Sequence, residues 1–322
     1  MKKILTLLLA LAMVCTMLFS AAIAEEEKPL IILLMAKSTS PYSGTYMTYF
    51  VENANTMYPD CEWTAFDAQS DATLQAQQAE EAIAMNPAVI MMQPIDSNAL
   101  VASAKKISEA GIPLICVNTP LAEEADEYIT CFFGPDCYAE GELAADLMHE
   151  AFPDGCTYVH LGQDVSNETG RLRLAGFQER AEEMGYNLEC LGVSPSCDWS
   201  AEKAKTFMSS FLTSLSGQID AVWAIDDAVG YGALQAIQED FSGQNTDIQI
   251  ISVGGIESVL DAIRDGQNYL GTIYQSPAIE CSGAMEIANK IAIEGVYPEE
   301  SFICMDLPVI TAENVDEFEP AY

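Results

Sequence analysis

Gln93, Asn118, Asp226 and Gln275 each close an apolar run in this sequence. Side chains of this kind offer hydrogen-bond donors and acceptors where an apolar strand meets solvent, and loop polarity alone would also place them there. Arg173 is one of few cations in an acidic chain. Its planar fork can hold two oxygens of one ligand at once, or form a surface salt bridge. Trp199 follows Ser196-Cys197-Asp198, and Tyr42 follows Pro41 in a polar stretch. An aromatic ring so placed can lie flat against the apolar face of a small ligand while polar groups bond at the rim, or it can simply pack. Asp226 and Asp227 stand together. A helix cap accounts for one of them; the cap is assigned to Asp227 and the ligand contact to Asp226.

The elements behind these residues are clearest at 88–120. Residues 88–92 are apolar and stop at Gln93-Pro94. Asp96 or Ser97 can cap the helix predicted over 99–110, which Gly111 ends. A second apolar run, 112–117, stops at Asn118-Thr119. This is a βαβ unit whose strands are apolar on both faces, as a covered parallel sheet requires. Both strands end at the edge where open α/β sheets bind ligands. The rest of the chain repeats the unit. Strands are predicted at 29–36, 62–66 and 128–133, with helices at 45–58 and 71–85 and a polar loop at 37–44. After Gly134-Pro135 the alternation restarts, with strands at 157–161, 188–193, 221–225, 248–253 and 269–274. Helices fall at 137–152, 170–184, 199–215, 227–238, 256–264 and 277–293, and short strands at 302–305 and 308–310. The order argues for two doubly wound parallel sheets. No flexible linker divides them, so several chain crossings are expected.

The formal net charge of −36 over 322 residues excludes nucleic acid as a partner, because such a surface repels phosphate. Lys2 and Lys3, an apolar run over 4–19 and Ala22-Ile23-Ala24 read as a cleaved signal peptide, residues 1–24. The mature protein is therefore expected outside the cytoplasm, periplasmic or extracellular. Cys15 lies in a poor match to a lipoprotein signal. Nine cysteines remain after cleavage, with no C-x-x-C spacing. Most sit beside apolar runs, where cysteine serves as a small hydrophobe. Free thiols are favoured over a disulfide framework, with a local Cys131–Cys137 pair left open. No zinc site is expected from this spacing and two histidines. The 37–44 loop lacks a dinucleotide-binding glycine pattern. His149 lies within a predicted helix and His160 within a predicted strand, so no nucleophile has a base beside it. No catalytic set and no cofactor are expected. Asn167-Glu168-Thr169 fits a glycosylation pattern and is read as chance.

Several motifs in order carry a resemblance. They are S-P-Y-S after the first strand, Q-P-I-D-S-N-A, A-G-I-P-L-I, R-L-R-L-A-G-F, D-D-A-V-G-Y-G-A-L and G-T-I-Y-Q-S-P. In this the chain resembles the ribose-type periplasmic binding proteins, solute receptors of sugar ABC transporters, over nearly its whole mature length. The resemblance implies an α/β protein of periplasmic binding protein type I: two Rossmann-like lobes joined by a three-crossing hinge, with a sugar between them. The lobes would span 29–134 plus 277–305 and 135–276 plus 306–322. By the same resemblance Ser40 matches an Asn of the first loop, Tyr42 its stacking Phe, and Ser43 replaces a second Phe. Gln93 matches an Asn, Arg173 the Arg of R-x-x-G-F, Trp199 an aromatic over a sugar face, Asp226 the Asn of an N-D pair, and Gln275 a Gln at the second crossing. Asn118 and Thr119 stand where ribose binders have Asp-Arg, and Gly254 where an Asp usually lies. The lost carboxylates imply an uncharged sugar or polyol rather than ribose in its usual pose, with room for a bulkier group at Gly254. The partners implied are an ABC permease and the small ligand, bound by a monomer. A receptor role in chemotaxis or for a sensor kinase is the alternative, and neighbouring genes would separate transport from sensing.

Overall fold

The computed structural model describes residues 27–162 and 167–322; the predicted signal peptide and Cys15 lie outside the described residues. The first sheet begins with β1 (Leu30–Met35), which continues through α1 (Pro41–Met57), β2 (Glu62–Asp67) and α2 (Ala72–Ala84). There follow β3 (Val89–Met92), α3 (Val101–Glu109), β4 (Leu114–Val117) and β5 (Cys131–Gly134). The chain then builds a second sheet from α4 (Cys137–Ala151), β6 (Cys156–Leu161), α5 (Glu168–Met184), β7 (Leu188–Val193), α6 (Ala201–Ser214) and β8 (Ala221–Ala224). It continues through α7 (Asp227–Gln238), β9 (Gln249–Gly254), α8 (Glu257–Arg264) and β10 (Tyr269–Tyr274). Last come α9 (Pro277–Asn289), β11 (Phe302–Cys304) and β12 (Val309–Thr311).

The strand orders are β11-β5-β4-β3-β1-β2 and β12-β10-β9-β8-β6-β7. The two sheets therefore repeat one arrangement. All pairings are parallel except β10 with β12. β3 and β4 are buried along their whole length, as their unbroken apolar runs demand. Each sheet has an apolar core on both faces. The chain passes from one sheet to the other after β5, after β10 and between β11 and β12. Two backbone bonds tie these crossings together: Met305 N–H to Gly134 O at 2.9 Å, and Tyr274 N–H to Pro308 O at 2.8 Å.

Helix starts cluster at the carboxyl ends of the strands. Asp71, Asp136, Asn167, Ser200, Asp226 and Ser276 each cap the following helix through a side-chain oxygen. The cap before α7 is thus Asp226 and not Asp227. Asp227 already lies inside the first turn, where its side chain turns back into the sheet. The first helix also starts earlier than its apolar pattern predicts. Pro41 occupies its first turn, a place its fixed φ favours, so Tyr42 and Ser43 lie on a helix rather than in a loop. All nine described cysteines are free thiols. Cys131 lies on a buried strand of the first sheet, while Cys137 opens α4 with Sγ near Pro135 O and Thr169 Oγ1.

α4 and α5 approach closely enough to need glycine at both contact points. A Cβ on Gly141 would stand 2.1 Å from Arg173 O, and one on Gly176 would stand 2.0 Å from Tyr138 O. This contact sets Arg173 beside α4. Gly176→Ala is expected to lower stability by about 1–3 kcal/mol through overpacking, read as a lower urea midpoint with an unchanged slope.

Candidate binding site

In sheets of this strand order a crevice opens where the order reverses, between the first and third strands of each half. The carboxyl ends of the two sheets face each other there. The cavity between them, about 80 Å³, is lined from the first sheet by Ala36, Lys37, Ser40, Pro41, Tyr42, Ser43, Gln93, Pro94, Ile95, Asn118 and Thr119. From the second side come Asn167, Thr169, Arg173, Trp199, Asp226, Ala228, Val253, Gln275 and Tyr322. Ser40, Tyr42, Ser43, Gln93, Asn118, Thr119, Arg173, Trp199, Asp226 and Gln275, all singled out from the sequence, are therefore brought together. Gly254 is not among the lining residues. A Cβ there would meet the Asp227 carboxyl at 2.7 Å and the Tyr322 hydroxyl at 2.8 Å. The space expected for a ligand group is thus filled by protein.

Arg173 is 3 % exposed. Its Nε donates to Glu140 at 2.7 Å and its Nη1 to Ile225 O at 2.8 Å. Burial opposes the guanidinium charge, but the Glu140 carboxylate outweighs it and keeps Arg173 protonated. The other Glu140 oxygen accepts from Gln275 Nε2. The surface salt bridge considered for Arg173 is instead an enclosed pair, and its partner is an acid that no sequence motif marked. Asp226 does not bond to Arg173. Its Oδ1 accepts from Val229 N–H at 2.8 Å. Burial pushes its carboxyl up to about 7, with the Val229 N–H and the Arg173 charge pulling the other way. Asp227 is buried behind it. It accepts from Ser252, Thr272 at 2.7 Å, and the backbone N–H groups of Gly255 and Ile256.

On the first side a chain of bonds runs along the floor. Gln93 Nε2 donates to Asn118 Oδ1 at 2.8 Å, and Asn118 Nδ2 donates to Glu280 at 3.2 Å. Tyr42 Oη donates to the same Glu280 oxygen. Burial pushes Glu280 up to about 8. Gln93 Oε1 and Glu280 Oε1 are buried and carry no partner among the described residues. Asn118 has φ 60°, a left-handed conformation that asparagine tolerates. Trp199, at φ 57°, sits in the turn ahead of α6 and packs against the second core. Hydrogen bonds join the two sides at the mouth: Thr169 Oγ1 to Thr119 Oγ1 at 3.2 Å, and Glu168 N–H to Ser97 Oγ at 3.1 Å.

Glu140, Glu280, Lys37, Asn167, Thr169 and Tyr322 were not found from the sequence. The two glutamates did leave a trace. Each is the acid on an otherwise apolar or small helix stripe: Cys137, Glu140, Gly141, Ala144, Ala145 and Met148 on α4, and Pro277, Glu280, Cys281, Ala284, Met285 and Ala288 on α9. An acid at such a position is buried and must have partners. Tyr322 carries no local signal, because only the path of 315–322 places it. His160 is buried in β6 with Nδ1 3.0 Å from Trp223 O, and burial holds it neutral with its pKa down to about 4.

Residues 31–295 match the family of periplasmic binding protein domains. The chain belongs to this family, one of non-catalytic solute-binding proteins. It is 27% identical over 250 residues to a xylitol-binding protein of Mycolicibacterium smegmatis, covering 77% of this chain and 68% of that one. It is 23% identical over 302 residues to a ribose import binding protein of Salmonella typhimurium, covering 92% and 96%. Among solved structures, a Caulobacter myo-inositol binding protein bound to myo-inositol superposes with a TM-score of 0.81 at 20% identity, covering 92% of this chain and 97% of that one. A galactofuranose binding protein gives 0.81 at 20%, covering 90% and 96%. These likenesses establish the fold of two mostly parallel six-stranded sheets.

The raised Asp226 value has a definite consequence for pH. An unfolded aspartate titrates near ~3.9, so between that value and about 7 the folded state holds the extra proton. The contribution of Asp226 to stability is complete below about pH 4 and is lost as pH rises through about 7. Asp226→Asn should remove this fall, so that the stability of wild type relative to the variant declines across pH 4 to 7. Urea titrations at several pH values measure it; a constant difference would refute the assignment.

Proposed function

We propose that the protein captures a small uncharged sugar or polyol between its lobes and delivers it to an ABC permease. The observation that carries this reading is Gln93 Oε1, a buried acceptor without a protein partner beside a cavity that also bears aromatic rings. An unpaired buried acceptor is costly, and a ligand hydroxyl would satisfy it. Arg173 has spent its charge on Glu140, so a charged ligand has no free counter-ion in it. Tyr42 from α1 and Trp199 from the turn before α6 belong to opposite sides of the cavity, an arrangement suited to holding the C–H faces of a polyol. The relatives named for xylitol and ribose, and the structure holding myo-inositol, support a polyhydroxylated ligand. The rigid units in this reading are 29–134 with 277–305 and 135–276 with 306–322, hinged where the chain crosses. The protein works as an exported monomer. Among the described residues no helix is long and apolar enough to cross a membrane.

A thermal-shift screen over sugars, polyols, amino acids and nucleosides tests the reading. A ligand at ~100 times its Kd adds about 2.7 kcal/mol to stability, so a sugar or polyol is expected to raise the melting temperature clearly. Silence across the panel, or an amino acid or nucleoside as the best hit, would reject it. With the best polyol, Trp199→Ala should bind roughly tenfold or more weakly by calorimetry, since burying a ring on a ligand is worth about 1–3 kcal/mol. Equal affinity in a folded variant would return Trp199 to a packing role.

A further inference from the structure

Residues 315–322 lead from β12 back to the cleft and are held along the way. Val315 is buried in the second core, and the Phe318 ring lies 5.4 Å from Tyr274. Tyr274 Oη donates to Glu319 O at 3.3 Å, and Ala321 N–H donates to Gly255 O at 2.8 Å. Tyr322 is thereby set into the cavity wall. Its ring meets Tyr42 edge to face, with centroids 5.5 Å apart, so a ring from the second side closes on a ring from the first. Its hydroxyl occupies the space beside Gly254, where a Cβ would come within 2.8 Å of it. At Gly255 a Cβ would come within 3.2 Å of the Ala321 Cβ. The Gly254-Gly255 pair and the 321–322 segment therefore fit one another, and a side chain at Gly254 would collide with the Tyr322 hydroxyl as well as with Asp227.

We propose that Tyr322 is a specificity-determining residue that sets the upper size of the ligand. The inference rests on the polyol reading and deepens it. A ring held by a backbone bond one residue away does not yield to a ligand as a free surface side chain would. Only about 80 Å³ of cavity remains with Tyr322 in place. Smaller polyols and sugars fit beside the ring in preference to larger ones. A larger ligand would need the volume that the Tyr322 ring fills. One extra carbon in a pocket without room for it changes affinity by about 10–200-fold.

Calorimetry on the wild type, Tyr322→Phe and Tyr322→Ala, with glycerol, a pentitol, a hexitol, a pentose, a hexose and an inositol, tests this. The wild type should bind the smaller ligands of the panel more tightly than the larger ones. Tyr322→Ala should raise the ratio of hexitol to pentitol affinity about tenfold or more, and Tyr322→Phe, which keeps the ring, should hold the wild-type ratio. Tyr322→Leu replaces Tyr322→Ala if the alanine variant melts too low to titrate. A wild type that binds polyols but whose ratio survives loss of the ring would overturn the inference alone, as would a wild type that prefers the largest ligands of the panel. Failure of the wild type to bind any member of the panel would overturn the polyol reading and this inference with it.

Discussion

The buried pair between Glu140 and Arg173 is the constraint on which the cleft depends. Two charges taken out of water are tolerable only when they meet closely and their remaining valences are filled. Here the guanidinium meets the carboxylate at 2.7 Å, a strand-end carbonyl takes another N–H, and Gln275 fills the second carboxylate oxygen. Those partners come from α4, α5, the end of β8 and the crossing after β10. The pair therefore fixes the floor of the second lobe to the hinge. The glycine contacts between α4 and α5 bring the backbone of Arg173 against α4, where the pair forms.

The first lobe solves the same problem with a different chemistry. α4 and α9 are the helices that begin just after a crossing, and their buried residues fall at the same spacing. Both carry a glutamate three residues after their first buried position. In the second lobe that acid meets a guanidinium, whose charge opposes the upward push of burial on its carboxyl. In the first lobe Glu280 meets Tyr42 and Asn118, with no cation among its bonds, and burial raises its pKa to about 8. One half of the cavity is thus built on an ion pair and the other on neutral hydrogen bonds.

The fold was legible because both of its periods are written plainly. Runs such as 88–92 and 112–117 are apolar on both faces, so their parallel, covered setting followed directly. The lining residues at strand ends were legible for the same reason: an amide or acid that closes an apolar run has one edge to occupy. Three features were not. The two aspartates at 226 and 227 differ only in which one starts the helix, and element boundaries are the weakest part of any pattern. Glu140 and Glu280 find partners from segments far off in sequence, Arg173 and Gln275 for one and Tyr42 and Asn118 for the other. Gly254 shows the sharpest gap between composition and structure. A missing side chain suggests room, yet the space is taken by Asp227 and by Tyr322, a residue 68 positions later in the chain.

The two hydrogen bonds across the mouth involve hydroxyl groups and a backbone N–H, so neither brings opposite charges together. Dissolved salt acts on charges and leaves such bonds nearly untouched. Acidic residues outnumber basic ones in both halves of the chain, so the two lobes repel each other at long range. Screening weakens that repulsion and not the bonds. Rising ionic strength should therefore leave these contacts between the two sides in place and weaken the repulsion across them, the reverse of its effect on a latch made of salt bridges.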